Sequence, residues 1–269
     1  MNHERVPFTG IVVVCNEDER LRECLESLHF CDEILVVDLE SDDQSVEIAQ
    51  NCGARVLHHE RIPTAGAARK HGAKNAENDW IVFLDPDEVF PSALYPEMCR
   101  LVNQNPKLGR IFVPWRFYFQ EEPLHGTKWG GKKQKGHVVN RERCFIGPPE
   151  HKYAHQEVSL RDGFESEHLS WEHGEYIEHY WMDSYTSLIE KHLRYVENEG
   201  MVRYERGERF PGWGAWLKRV VNAFRQSFVN QNGWREGTRG LFLSLFWAWY
   251  KGASLVSLSR YQKERGGHA

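Results

Sequence analysis

The sequence predicts an α/β fold: a doubly wound, mostly parallel sheet followed by a helical, amphipathic C-terminal region. Three observations predict it. Short β-branched runs alternate with segments of helical periodicity in the order β-α-β-α-β-α-β within the first hundred residues. The run Trp80-Ile81-Val82-Phe83-Leu84 is too short for a free helix and suits a strand buried on both faces. Beyond Glu175 the apolar residues repeat with a helical period.

In chain order, Phe8 to Cys15 is a β-branched run and reads as the first buried strand, ended by Asn16-Glu17. Leu21, Cys24, Leu25 and Leu28 then mark a helix within Glu19 to Phe30. Ile34 to Asp38 is a second strand that finishes on an acid, and Ser41-Asp42-Asp43 looks like a helix start. A short helix stops at Gly53, and Ala54 to Leu57 forms a third strand. Ala65 to Ala76 is small-residue-rich and helical, carrying Arg69 and Lys70. The Trp80 strand follows and meets Asp85-Pro86-Asp87-Glu88. Pro86 cannot continue a ladder, so these carboxylates lie where the strand ends.

Three strands therefore end on polar or acidic residues, and in a parallel sheet those ends converge on the edge where open α/β folds bind ligands. Clustered carboxylates are comfortable around a shared hard cation, Mg²⁺ or Mn²⁺, whose shell is completed by phosphate oxygens and water. The competing interpretation of a bare Asp-x-Asp is a solvated turn capping the next helix. No G-x-G-x-x-G follows the first strand and no G-x-x-x-x-G-K-[ST] occurs, which weighs against dinucleotide and P-loop folds.

Glu97 to Asn103 reads as helix, and Ile111 to Phe119 as an aromatic-rich strand. Gly126 to Gly136 is rich in glycine and lysine. Its lysines, Lys135 among them, read as a solvated loop in preference to a cationic flap. His151 and His155 have helical metal-pair spacing, but Pro148-Pro149 argues against a helix. Zinc ligation there, or by His168, His173 and His179, is not expected. In the last third, Trp216, Leu217, Val220, Val221, Phe224 and Phe228 share one helical face, with Lys218, Arg219 and Arg225 among the polar positions. A basic helix with such a face can lie in a membrane interface, pack on its own unit, or serve a second copy of the chain. Leu241 to Tyr250 falls short of the ~20 apolar residues of a spanning helix, and no secretory signal is expected.

The chain of 269 residues is 41% hydrophobic and 27% charged, ordinary for a folded soluble protein, and can hold one large α/β domain with an appendage. Its net charge of −5 argues against a nucleic-acid partner. The six cysteines contain no C-x-x-C pair and read as reduced thiols of a cytoplasmic protein.

Val12-Val13-Val14-Cys15-Asn16-Glu17, the stretch from Val36-Val37-Asp38 to Ser41-Asp42-Asp43, Arg69 with its small neighbours, and Trp80 to Glu88 together resemble the successive motifs of family 2 glycosyltransferases of the GT-A fold. Within that family the chain is most similar to bacterial lipopolysaccharide core β-glucosyltransferases. The stretch from His179 to Tyr195 and the segment from Arg225 to Gly240 carry the likeness into the C-terminal part.

The resemblance implies a catalytic domain over 1–175, with a nucleotide-sugar half of about 1–105 and an acceptor half of about 106–175, and a helical region over 176–269. It implies that Asn16 and Glu17 line the nucleotide pocket and Asp38 bonds the base of a UDP-type donor. Arg69 would stand near the phosphates, Asp85 near the ribose, and Asp87 on the metal. The family often has Gly where Glu40 stands, and its His-Glu pair appears here as His155-Gln156-Glu157.

Inverting transfer needs a base for the acceptor hydroxyl. Glu157 is the candidate, with His155 as its neighbour or substitute and Glu150 third. The implied enzyme is a metal-dependent, inverting hexosyltransferase acting on a lipid-linked or cell-envelope glycan such as lipopolysaccharide core. It would work in the cytoplasm, peripheral on the inner face of the membrane. The rival enzyme is a nucleotidyltransferase, which would need a Gly-rich basic loop where Cys15-Asn16-Glu17-Asp18 stands. The non-enzymatic rival is a membrane-surface adaptor that retains the fold.

Overall fold

The computed structural model describes residues 4–62, 65–147 and 158–266. The chain forms two compact units: Met1–Trp115 with Lys133–His179, and Arg116–Lys132 with Tyr180–Ala269.

The first unit opens with β1 (Phe8–Val14), α1 (Leu21–Ser27), β2 (Glu33–Asp38), α2 (Ser45–Asn51), β3 (Arg55–His58), α3 (Ala65–Asn75) and β4 (Trp80–Leu84). The expected alternation is thus present, and the four strands lie parallel in the order β3-β2-β1-β4. Every residue of β1 and β4 is buried, as continuous apolar runs require. Helices cover both faces. Leu21, Cys24 and Leu25 of α1 and Ala49 of α2 pack with Val12, Val36 and Val82. Ala68 and Ala73 of α3 pack with Ile11, Leu35 and Phe83 on the other face. The small residues of α3 have a steric reason. A Cβ on Gly72 would stand 2.8 Å from Ile11 and 3.1 Å from Val37, so the helix rests directly on β1 and β2. Each fully buried Leu or Phe here contributes roughly 1.5–3 kcal/mol.

The chain continues through β5 (Glu88–Val89), α4 (Tyr95–Gln104), β6 (Leu108–Phe119), β7 (Glu122–Pro123) and β8 (Lys133–Asn140). Then come β9 (Cys144–Ile146), β10 (Val158–Leu160), β11 (Glu165–His168) and β12 (Ile177–Met182). The sheet extends past β4 in the order β8-β6-β12-β5, with β8 antiparallel to both β4 and β6. β11 and β7 pair with β6, and β9 and β10 form a separate antiparallel pair.

Two expectations fail in this half. The Gly- and Lys-rich stretch is not a loop throughout, because Lys133 to Gly136 belong to β8. This strand position is a glycine for steric reasons: a Cβ there would collide with the Arg110 guanidinium. The chain also does not turn helical directly after Glu175. β12 intervenes, its Glu178 and His179 pairing with Val89 and Glu88 of β5 before the helices begin.

The second unit is mainly α5 (Tyr185–Glu205), α6 (Trp213–Arg225) and α7 (Gly237–Gly266). Ser184 caps α5, its Oγ accepting from the Ser187 amide at 3.1 Å. The core is aromatic: Phe119, Trp129, Trp181, Leu188, Leu243 and Phe246 cluster, with Trp129 stacked on Trp181 at 4.6 Å. α5 crosses α7 at Gly200, where a Cβ would come within 2.6 Å of the Ser257 backbone. Trp213, Leu217 and Val221 of α6 remain exposed, at 63%, 56% and 55%. The ten-residue apolar core read from the sequence understates α7. The helical stretch Gly233–Arg265 has 33 residues and meets the length and composition of a membrane span, with 44% of its apolar window buried in the protein.

Candidate active site

The ends of β1, β2 and β4 meet as the sequence predicts, since Val14 pairs with Asp38 and Val12 with Leu84. After β1 the chain turns through Asn16 at φ 58°, a left-handed conformation that Asn tolerates. This turn interlocks with the one after β2. The Asn16 amide donates to Ser41 Oγ at 3.1 Å, Asn16 Nδ2 to Asp42 Oδ1 at 2.6 Å, and the Asp42 amide back to Asn16 Oδ1 at 2.8 Å. The Glu17 amide donates to Ser45 Oγ at 3.3 Å, and the Asp18 amide to Asp43 Oδ2 at 3.2 Å. Glu40 stands at φ 56°, in the backbone region where glycine is at ease.

Asp38 is buried. Its Oδ1 accepts from the Ser41 amide at 3.1 Å, and its Oδ2 lies 3.0 Å from His58 Nδ1, on a ring that is largely exposed.

The acidic end of β4 is built in two parts. In the inner part Glu88 is wholly buried. It accepts from the Trp115 indole at 2.8 Å and from the Asp85 amide at 3.0 Å, and it meets Lys135 Nζ at 3.3 Å. His137 lies beneath, with Nδ1 2.6 Å from the Phe83 carbonyl and Nε2 3.7 Å from Glu88. Asp85 pairs with the Arg69 guanidinium, and with Lys135 Nζ at 3.0 Å. Burial opposes ionisation of Asp85, yet Arg69 and then Lys135 outweigh it and hold the carboxyl well below the usual range. Burial likewise opposes the charge on Glu88, and Lys135 followed by His137 brings its pKa below the ordinary value. Lys135 is raised: burial works against its charge, and Glu88 and Asp85 more than compensate. Burial pushes the His137 imidazole down to about 4.

The outer part is less buried, with the Asp87 side chain 34% exposed and that of His179 12%. Asp87 Oδ2 lies 3.3 Å from His179 Nε2, and the His179 ring stacks on Trp115 at 5.0 Å. Asp87 and His179 offer a carboxylate oxygen and an imidazole nitrogen. Among the described residues no group of three or more His, Cys, Asp or Glu side chains could enclose a metal. Two protein ligands fit a divalent cation that takes its remaining positions from a diphosphate and water, the ordinary arrangement for Mg²⁺ with phosphates. Asp85, held by two cations, does not belong to that ligand pair.

Asn16, Glu17, Asp38, Arg69, Asp85 and Asp87 thus come to one edge. Glu157, His155 and Glu150, the candidates for the base, and the His151–His155 pair lie outside the described residues. Lys135, His137, Trp115 and His179 were not singled out for this edge from sequence. In sequence Lys135 reads with its neighbours as solvated, and His179 as one of the scattered histidines. Their only signal was the aromatic and β-branched residues beside them.

Residues 9–153 match the family model described as Glycosyl transferase family 2. An uncharacterized glycosyltransferase of Rickettsia felis is 31% identical over 163 residues, covering 52% of this chain and 57% of that protein. A TPR repeat-containing protein of Synechococcus elongatus is 38% identical over 94 residues, 35% of this chain and 23% of the relative. The chain therefore spans from about a quarter to somewhat over half of these curated relatives. Among solved structures, a mannosyltransferase of Pyrobaculum calidifontis in complex with GDP-Man and Mn²⁺ is 20% identical, covering 42% of this chain and 36% of that one at a TM-score of 0.38. Glucosyl-3-phosphoglycerate synthase of Mycobacterium tuberculosis is 18% identical, covering 42% and 44% at a TM-score of 0.35. With more than half of its length matched by the family model, this chain belongs to glycosyl transferase family 2.

Proposed function

We propose that the protein transfers a sugar, with inversion, from a nucleotide-diphosphate donor to a lipid-linked or cell-envelope glycan, with UDP the favoured nucleotide and lipopolysaccharide core the model acceptor. The observation that carries the reading is the pairing of Asp87 with His179 on the strand-end edge that also holds buried Asp38. Asp38 would accept from the base, and Asn16 and Glu17 would form the wall beside it. Arg69 and Lys135 fix Asp85, the group assigned to the ribose. Asp87 and His179 would hold Mg²⁺ or Mn²⁺, which when bound supplies charge neutralisation to the leaving diphosphate. The acceptor proton is assigned to Glu157 with His155. A peripheral position on the inner face of the cytoplasmic membrane fits the exposed apolar residues of α6, interleaved with Lys218, Arg219 and Arg225.

Calorimetric titration of the full chain with UDP, GDP and CDP, with and without Mn²⁺, tests this reading. Metal-dependent binding of one nucleotide, weakened in Asp87→Ala and His179→Ala, is the expected result. Binding of no diphosphate under either condition would overturn it.

A further inference from the structure

The second unit contains a cavity of about 390 Å³ that the donor edge does not use. It is lined by Lys128, by Arg203 of α5, Arg219 of α6 and Lys251 of α7, with Trp247 and Asn222 among the others. Four of its nine lining residues are cationic and none is acidic. Lys128 and Lys251 both meet the Trp247 ring, their Nζ atoms 5.6 and 5.3 Å from its centre. Arg203 is held by Glu199 at 3.0 Å and Glu208 at 3.1 Å, outside the lining. Among the described residues, Arg219 and Lys251 form no ion pair.

Separate segments of the chain thus bring four cationic side chains to one cavity whose lining residues include no acid, and crowding like charges costs energy that an entering anion would relieve. Lys251 registers that cost. Burial lowers its pKa, the charges of Arg203 and Lys128 lower it further, and Glu199 and Glu208 oppose this. Asn222 and Gln226 add amide donors to the cations. Lys251 interrupts the most apolar helix of the chain, where Leu245 and Trp249 are exposed.

We propose that this cavity is a binding site for a phosphate group, recognised by Arg219 and Lys251 with Lys128 and Arg203 behind them. The phosphate is either a lipid headgroup or a soluble phosphate ester or ion, and the site does not depend on the donor reading above.

The test uses the full chain and two ligands. One arm floats the protein with phosphatidylcholine vesicles, with and without phosphatidic acid. The other titrates inorganic phosphate calorimetrically. The probe variant is R219Q/K251Q. The control is K107Q, at an exposed lysine of the first unit and outside the lining. Binding in either arm should fall about tenfold or more in the double variant and stay unchanged in K107Q, since each loses or keeps charge-assisted bonds accordingly. A loss confined to the vesicle arm identifies a headgroup, and a loss confined to the phosphate arm identifies a soluble ligand. If R219Q/K251Q fails to fold, R219Q alone, on exposed Arg219, carries the comparison. Equal binding by all variants, or no binding by the wild type in either arm, overturns the proposal.

Discussion

Lys135 Nζ bridges two carboxylates, lying 3.0 Å from Asp85 Oδ2 and 3.3 Å from Glu88 Oε1. Glu88 is wholly buried, so its charge depends on this ammonium and on the Trp115 indole. Replacing Lys135 by Met removes the counter-charge and leaves the carboxylates to repel each other. Stability should fall by about 2–3 kcal/mol, below the full cost of breaking a buried pair because Lys135 is itself partly exposed. Urea unfolding checks this. Lys135→Arg should recover part of the loss, and Lys135→Met stability equal to wild type would remove the bridge from the account.

The buried imidazole sets an acid limit. His137 is neutral in the fold, with a pKa of about 4 against an ordinary 6.5. The unfolded chain binds a proton there below pH 6.5 and the folded chain does not. Stability is therefore complete above that pH and is lost as pH falls towards about 4. The loss attributable to this group is on the order of 3 kcal/mol. Asp85 and Glu88, both lowered, add losses of the same sign at still lower pH. Chemical denaturation at stepped pH should show the slope, and His137→Phe should flatten it between pH 6.5 and 4.

Asp85 is satisfied by protein cations, so the proposed metal site rests on Asp87 and His179 and would need a ligand to complete it. Mn²⁺ alone should therefore bind at least about tenfold more weakly than Mn²⁺ in the presence of the cognate nucleoside diphosphate. Electron paramagnetic resonance of free Mn²⁺ measures both. Equal affinities would mean that a fuller protein cage exists.

Glu40 occupies a left-handed conformation that glycine adopts freely. Glu40→Gly should be neutral or stabilise by up to about 1 kcal/mol, the relief of strain being partly offset by chain entropy. A fall in melting temperature would show that the Glu40 side chain contributes more than its backbone costs.

Gly200 lets α5 meet the backbone of α7. Gly200→Ala should destabilise the protein by about 1–3 kcal/mol, because the neighbour is main chain and cannot step aside as a side chain would. Thermal unfolding of this variant beside Gly207→Ala, a position with open space but φ 83°, separates crowding from backbone strain.

The parallel half of the sheet was legible because each strand is a local message: an apolar run, then a polar stop. Asp38 and Asp85 to Glu88 declare their position through the strand before them and through Pro86. Lys135, His137, Trp115 and His179 arrive from β6, β8 and β12, at chain separations where no motif spacing operates. Gly136 misled for a definite reason, since glycine marks turns in sequence but here makes room for Arg110. α7 was read by its apolar core, whereas its ends are helical through residues that carry no apolar signal.

The crossed hydrogen bonds between the Asn16–Asp18 turn and the Ser41–Ser45 turn have a thermodynamic consequence. Two segments that would otherwise each have to settle around a guest are already immobilised by one another. A molecule arriving at Asp38 would meet a finished wall, so its association should show little loss of chain disorder and a heat-capacity change set by the surfaces that the two bury, with no added share from folding. In this part of the molecule the ordering that a guest would otherwise have to impose is completed during folding.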